Sequence, residues 1–270
     1  MKYKKTVIIF SVILGVIALG FLLSYTLFRT NNVELNFKNQ STMFSENDKT
    51  EIISTANISY GSPIFFTNKT QIKSTIEKKN PFIKVINIET VFPNKLVVHV
   101  AQREEFFAIM VGDAYCICDE ELKVLDDDVD TFTSTQINAV LLTGVDVINK
   151  TAQKGDFLKL QSEEDLVKKI ANAFAYNNKT IADIKGMFKQ MNLTYETNFY
   201  TRTKEAVLTL TTFDDFNIVV DLPKYHLVEK FNMMLAIVPK SVSKYKDHQL
   251  ILEINPFDPS DVDFRYKSLT

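Results

Sequence analysis

The sequence predicts an α+β protein: a single N-terminal transmembrane helix, then a compact βααββ module, then a β-rich domain with a flanking and a C-terminal helix. Three observations carry this prediction. Thr6 to Phe28 are 23 consecutive positions without a charge. The next ~70 residues alternate period-2 and helical patterns in the order strand, helix, helix, strand, strand. Beyond Arg103 short apolar runs dominate, interrupted by two amphipathic helical stretches.

Fifteen of the 23 uncharged positions are Ile, Leu, Val or Phe. A helix of that length is about 35 Å long, enough for a ~30 Å hydrocarbon core with some tilt. Insertion of those side chains is worth about 5–9 kcal/mol as an upper bound. A cleaved signal peptide would have an apolar core of about 7–15 residues and small residues at its end. This stretch is longer and ends in Tyr25-Thr26-Leu27-Phe28-Arg29, so an uncleaved anchor over 6–28 in the lipid bilayer is expected. Lys2, Lys4 and Lys5 precede it, and the positive-inside rule then leaves residues 1–5 in the cytoplasm and exports everything after residue 29. The exported part carries 27 basic and 33 acidic residues, with no polybasic stripe for an anionic surface.

The module begins with a strand near Val33 to Phe37. Ser45 followed by Asp48 marks a helix start, with Ile52, Ile53 and Ala56 on one face. Tyr60-Gly61-Ser62-Pro63 breaks the chain. A second helix follows Asn68 and Gln71, carries Ile72 and Ile76, and is closed by Pro81. Ile83 to Val91 reads as a strand with Ile86 and Ile88 on one side, and Leu96, Val98 and Val100 alternate in the next. Phe92-Pro93-Asn94-Lys95 supplies the turn between them.

In the larger domain Phe106 to Met110, Tyr115 to Cys118 and Ala139 to Leu142 read as strands. Ser162 is the expected N-cap of a helix with Leu166, Ile170, Ala173 and Phe174 as its buried stripe. Glu205 to Thr212 and Asn217 to Leu222 flank a tight turn at Asp214-Asp215. Lys224 to Val238 is an amphipathic helix, and Gln249 to Ile254 is expected as the last strand, followed by a polar tail from Asn255.

Composition narrows the chemistry. Net charge is −2, unlike the strongly basic nucleic-acid binders. Only seven glycines occur, and no G-x-G-x-x-G, G-x-x-x-x-G-K-[ST] or G-x-S-x-G is present. His99, His226 and His248 are scattered outside any H-E-x-x-H. Asp126-Asp127-Asp128 with Asp130 lacks the glycine and terminal glutamate of a calcium loop and reads as a solvated acidic loop. Cys116 and Cys118 stand at i and i+2 of a strand, near the limit for a disulfide, and read as buried free thiols. No catalytic constellation, metal site, cofactor site or small-molecule substrate site is expected.

Several runs carry a resemblance. Asn80-Pro81-Phe82-Ile83-Lys84-Val85, Val91-Phe92-Pro93-Asn94-Lys95-Leu96 and Gln102-Arg103-Glu104 follow one another at the module's end. Gly61-Ser62-Pro63-Ile64-Phe65-Phe66 lies between its helices. Tyr115 to Asp119 with Lys123-Val124-Leu125, and Leu142-Thr143-Gly144, lie further on. Together with the layout they resemble the FtsQ family of bacterial cell-division proteins, called DivIB in Gram-positive bacteria. Asp119-Glu120-Glu121-Leu122 departs from that family's D-x-x-G, which places a leucine where the turn has glycine.

The resemblance implies domains at 1–5 (cytoplasmic tail), 6–28 (transmembrane helix), 30–102 (POTRA domain), 103–265 (FtsQ-type β-domain) and 266–270 (tail). It implies a non-catalytic, single-pass type II protein of the cell membrane, enriched at the septum. Its expected partners are FtsB/DivIC-like and FtsL-like coiled-coil proteins and other divisome membrane proteins. The positions matching the family's contact are Lys230, Met233, Met234 and Ile237 on the helix and Leu250, Ile251, Leu252, Glu253, Ile254, Asn255 and Phe257 on the expected last strand. An edge strand offers unpaired backbone groups to a partner strand. Leu250, Leu252 and Ile254 are expected on one side, and Ile251, Glu253, Asn255 and Phe257 on the other. The competing reading is a membrane-anchored envelope enzyme or sensor carrying a POTRA-like module. A secretion or outer-membrane assembly component is disfavoured, since one module and no barrel are present.

Overall fold

The computed structural model describes residues 2–38, 44–132, 138–197, 202–241, 244–245, 247–255, 258 and 260–269. The chain divides into two compact units, Met1–Arg103 and Glu104–Thr270.

The first unit opens with helix α1, Lys2–Thr26. Among the described residues no helix is long and apolar enough to cross a membrane. The transmembrane helix expected over 6–28 therefore does not stand.

After α1 come β1 (Asn32–Phe37), α2 (Glu46–Thr55), a 3₁₀ turn (Ile64–Phe66), α3 (Lys69–Lys79), β2 (Ile83–Val91) and β3 (Lys95–Gln102). The strands form a sheet in the order β1-β3-β2, with β1 parallel and β2 antiparallel to the central β3. Local chemistry starts both helices. Ser45 and Asp48 form the reciprocal capping box of α2, and the Asn68 side chain accepts from the Gln71 N–H at the head of α3. Ile52, Ala56, Ile72 and Ile76 then pack on Leu35, Val85, Ile88, Leu96, Val98 and Val100.

Strand β2 departs from simple alternation. A register shift between Val85 and Asn87 buries Val85 and Ile88 and turns Ile86 outward. The pairing of Ile86 with Ile88 on one side fails because the extra residue inverts the pleat at that point. The Val85 N–H is taken by Glu77 Oε1 at 2.8 Å, and that buried carboxylate lies 3.6 Å from the buried Arg103 guanidinium. Glu77 and Arg103 thus fix the irregular end of the hairpin.

The second unit is a nine-stranded sheet with helices over one face. In chain order it contains β4 (Phe107–Val111), β5 (Ala114–Cys118), β6 (Val124–Val129), β7 (Val140–Thr143), α4 (Glu164–Tyr176), α5 (Ile181–Met187), β8 (Phe188–Thr197), β9 (Lys204–Thr212), β10 (Asn217–Asp221), α6 (Leu227–Ser241), β11 (His248–Ile254) and β12 (Val262–Ser268). Across the sheet the order is β12-β11-β10-β9-β8-β7-β4-β5-β6. Val167, Ile170 and Phe174 of α4, Ile184 of α5, and Phe231 and Met234 of α6 pack on Met191, Leu193, Leu208, Leu210, Ile218, Val220, Leu250 and Leu252. Phe174 and Phe231 meet with ring centroids 4.2 Å apart.

Several elements differ from expectation. Asp126 to Asp128 lie in β6, an end strand of the sheet, rather than in a loop. Charges on an outer strand discourage unwanted pairing there. The N-cap of α4 is Glu163, at φ 60°, with no side-chain capping bond. Ser162 Oγ instead lies 2.5 Å from Tyr195 Oη. Helix α5 and strand β8 fall in a region without a clear sequence pattern, although Thr180 and Asp183 form a capping box at the head of α5. Finally, the tail expected from Asn255 contains β12, which takes in residues 262–268.

Candidate partner-binding edge

The C-terminal edge of the large sheet is built from α6, β11 and β12. Strand β11 is enclosed on both sides. It pairs in parallel with β10 through Ile218↔Leu250, Val219↔Ile251 and Val220↔Leu252. It pairs antiparallel with β12 over seven positions, from His248↔Ser268 to Ile254↔Val262. Strand β12 is the terminal strand, and no partner strand covers its outer side among the described residues.

This arrangement decides what each expected contact residue can do. Leu250 and Leu252 are buried in the core beneath α6, with Met234 beside them. Ile251 is buried on the opposite face. Glu253 faces Arg265 of β12, whose Nε lies 3.1 Å from both carboxylate oxygens. Ile254 is half-buried opposite Val262. The Asn255 N–H donates to Asp261 O at 3.0 Å, closing the connection into β12. Phe257 lies outside the described residues. On α6, Met233 and Ile237 are half-buried against the core. Strand addition at β11 would therefore require β12 to leave first.

Lys230 is buried. Its Nζ donates to Asp221 O at 2.6 Å and Leu222 O at 3.1 Å, so it ties α6 to the end of β10. Burial pulls its pKa down to about 8, with Asp221 and Glu229 opposing. Its position is that of a structural tie rather than a surface contact.

The outer strand was missed from sequence, although a signal exists. Val262-Asp263-Phe264-Arg265-Tyr266-Lys267 alternates apolar and polar, and Asp258, Pro259, Ser260 and Asp261 before it are turn formers. Tyr266 turns toward the core and stacks on Tyr245 at 4.1 Å, with Phe264 edge-on at 6.0 Å. Asp263, Arg265 and Lys267 are exposed. The Phe264 N–H is taken by the neighbouring Asp263 carboxylate at 2.7 Å. A seven-residue, regularly paired end strand of this kind is the geometry to which another extended chain can add.

Residues 45–103, which run from the head of α2 through β3, match the family model described as POTRA domain, FtsQ-type. The chain carries an FtsQ-type POTRA domain. The match supports an FtsQ/DivIB-family protein. The FtsQ-type POTRA family is a non-enzymatic scaffold family, which points to a division-related scaffold role and to protein–protein interaction in division. Comparison with the curated proteins finds no match. Within the POTRA domain, the Ile83 to Val85 and Arg103 signature residues supply the buried β2–β3 frame and the Glu77–Arg103 pair.

Among the described residues no group of three or more His, Cys, Asp or Glu could hold a metal. Cys116 and Cys118 are buried and free, and burial raises both thiol pKa values, Cys116 to about 11. Neither is poised as a thiolate.

Proposed function

We propose that this protein is a non-catalytic scaffold of bacterial cell division. It acts at the cell membrane, on the extracytoplasmic side of the septum, and holds FtsB/DivIC-like and FtsL-like coiled-coil proteins. The main contact is strand addition at the C-terminal β-edge. The observation that carries this reading is β12: a regular seven-residue strand, exposed on most of its length, with its outer side uncovered among the described residues. The expected contact thereby moves from β11 to β12, with β11 and α6 as the support that holds β12 flat.

Site-specific photo-cross-linking tests the edge. A photoreactive residue at Lys267 or Asp263 should yield adducts with the coiled-coil partners in dividing cells, whereas one at Asp128 on the far edge should not. Equal labelling from both edges, or none from β12, would remove the strand-addition reading. A fluorescent fusion spread evenly around the cell, without a division-site band, would remove the division role.

A further inference from the structure

The second unit holds a cleft of about 470 Å³, within the ~300–1,000 Å³ range of small-ligand pockets. It lies at the start of α4 and against the β10–α6 connection. Leu160, Leu166, Pro223 and Leu227 give it apolar walls, while Glu163, Glu164, Asp165, Lys169 and Lys224 supply the charges. These charges sum to −1.

The ionisable groups are not equivalent. Glu164 is fully engaged: Lys168 Nζ donates to Oε1 at 2.5 Å and the Leu160 N–H to Oε2 at 3.1 Å, which lowers its pKa. Lys224 is half in solvent, 2.9 Å from Glu163 Oε1. That contact raises the Lys224 pKa. Both shifts reinforce the ordinary charged forms, which suits binding better than proton transfer. Glu163 differs. Its side chain is only 7% exposed, and its Oε2 is buried with no hydrogen-bond partner. The residue also sits in the left-handed region at φ 60°, an uncommon place for a glutamate. A buried carboxylate oxygen without a donor is unfavourable, and a donor from outside would satisfy it.

We propose that this cleft receives the arginine side chain of a binding partner. The apolar walls take the aliphatic stem, and the guanidinium donates to Glu163 Oε2, with Asp165 at the rim. The terminal torsion of a glutamate is broad, so a rotation of the carboxylate can turn Oε2 toward the cleft. A guanidinium suits the site better than an ammonium because it is planar, less strongly hydrated and carries several donors in a fixed fork. Among the described residues lining the cleft, the buried group without a hydrogen-bond partner is an acceptor, Glu163 Oε2. The cleft is separate from β12, so this inference stands independently of the edge-strand reading.

The test is an NMR titration of the full chain with N-acetyl-arginine-N-methylamide, alongside the neutral citrulline analogue. Saturable shifts at the 162–166 amides are expected, at least tenfold weaker with citrulline and in Glu163→Gln. Equal binding of citrulline, absence of saturation, or undiminished binding by Glu163→Gln would overturn the proposal. Should Glu163→Gln fail to fold, Asp165→Asn and the citrulline comparison on the wild type decide. Partner capture through β12 is unaffected in either case, which keeps the two proposals distinguishable.

Discussion

Leu122 shows how one residue can hold opposing demands. It takes φ 66° at the turn between β5 and β6, where a leucine is strained by about 1–2 kcal/mol, yet it is fully buried in the core. The turn is held by Asp119, whose Oδ1 accepts from the Glu121 and Lys123 N–H groups at 2.9 and 2.8 Å. Packing therefore outweighs backbone preference, since burying a leucine is worth about 1.5–3 kcal/mol before any cavity is counted. Leu122→Gly relieves the strain and loses the packing, while Leu122→Ala loses the packing and keeps the strain. Both variants should be destabilised in urea unfolding, Leu122→Ala by about 1 kcal/mol more. From sequence this position could be flagged as a departure from D-x-x-G, but the burial that compensates it was invisible. The same holds for Lys230, which reads as a polar helix position and is in fact a buried donor to two carbonyls.

At the scale of elements, the legible features were those with local causes. The α2 capping box, the Asn68 cap, the β9–β10 hairpin and the α4 stripe all follow from residues within a few positions of one another. The features that escaped have distant causes. The β2 bulge depends on Glu77 and Arg103, and the assignment of β12 depends on β11 being there to pair with it. Gly144 joins the two levels. It follows β7 at φ 75°, and a Cβ there would stand 1.8 Å from Leu193 O on β8. Gly144→Ala must strain the turn and push β7 away from β8, so a loss of at least about 2 kcal/mol is expected in thermal or urea unfolding. Gly112, also at positive φ but with open space around its Cβ direction, should tolerate alanine with a smaller loss from backbone strain alone.

For the whole molecule, Lys230 gives a measurable signature. Its folded pKa of about 8 lies below the ordinary 10.5, so between those values the unfolded chain binds more protons than the folded one. Stability from this group is lost as pH falls through 8 and regained as pH rises toward 10.5. Wild type should therefore gain urea stability relative to Lys230→Met across pH 8 to 10.5, and a constant difference would contradict the buried placement. By itself the sequence determined the element types over most of the chain, the POTRA-type module, the buried thiols and the absence of glycine-based nucleotide motifs, because these depend on periodicity, caps and composition. Its charge-free N-terminal stretch also implied a spanning helix, which the described residues of α1 do not support. Only the tertiary structure decided which strand stands at the edge and which carboxylate is buried without a partner. Pairing and burial are set by neighbours far apart in the chain: β12 becomes the exposed edge because β11 is already held by β10, and Glu163 is enclosed because α4 packs beside the β10–α6 connection.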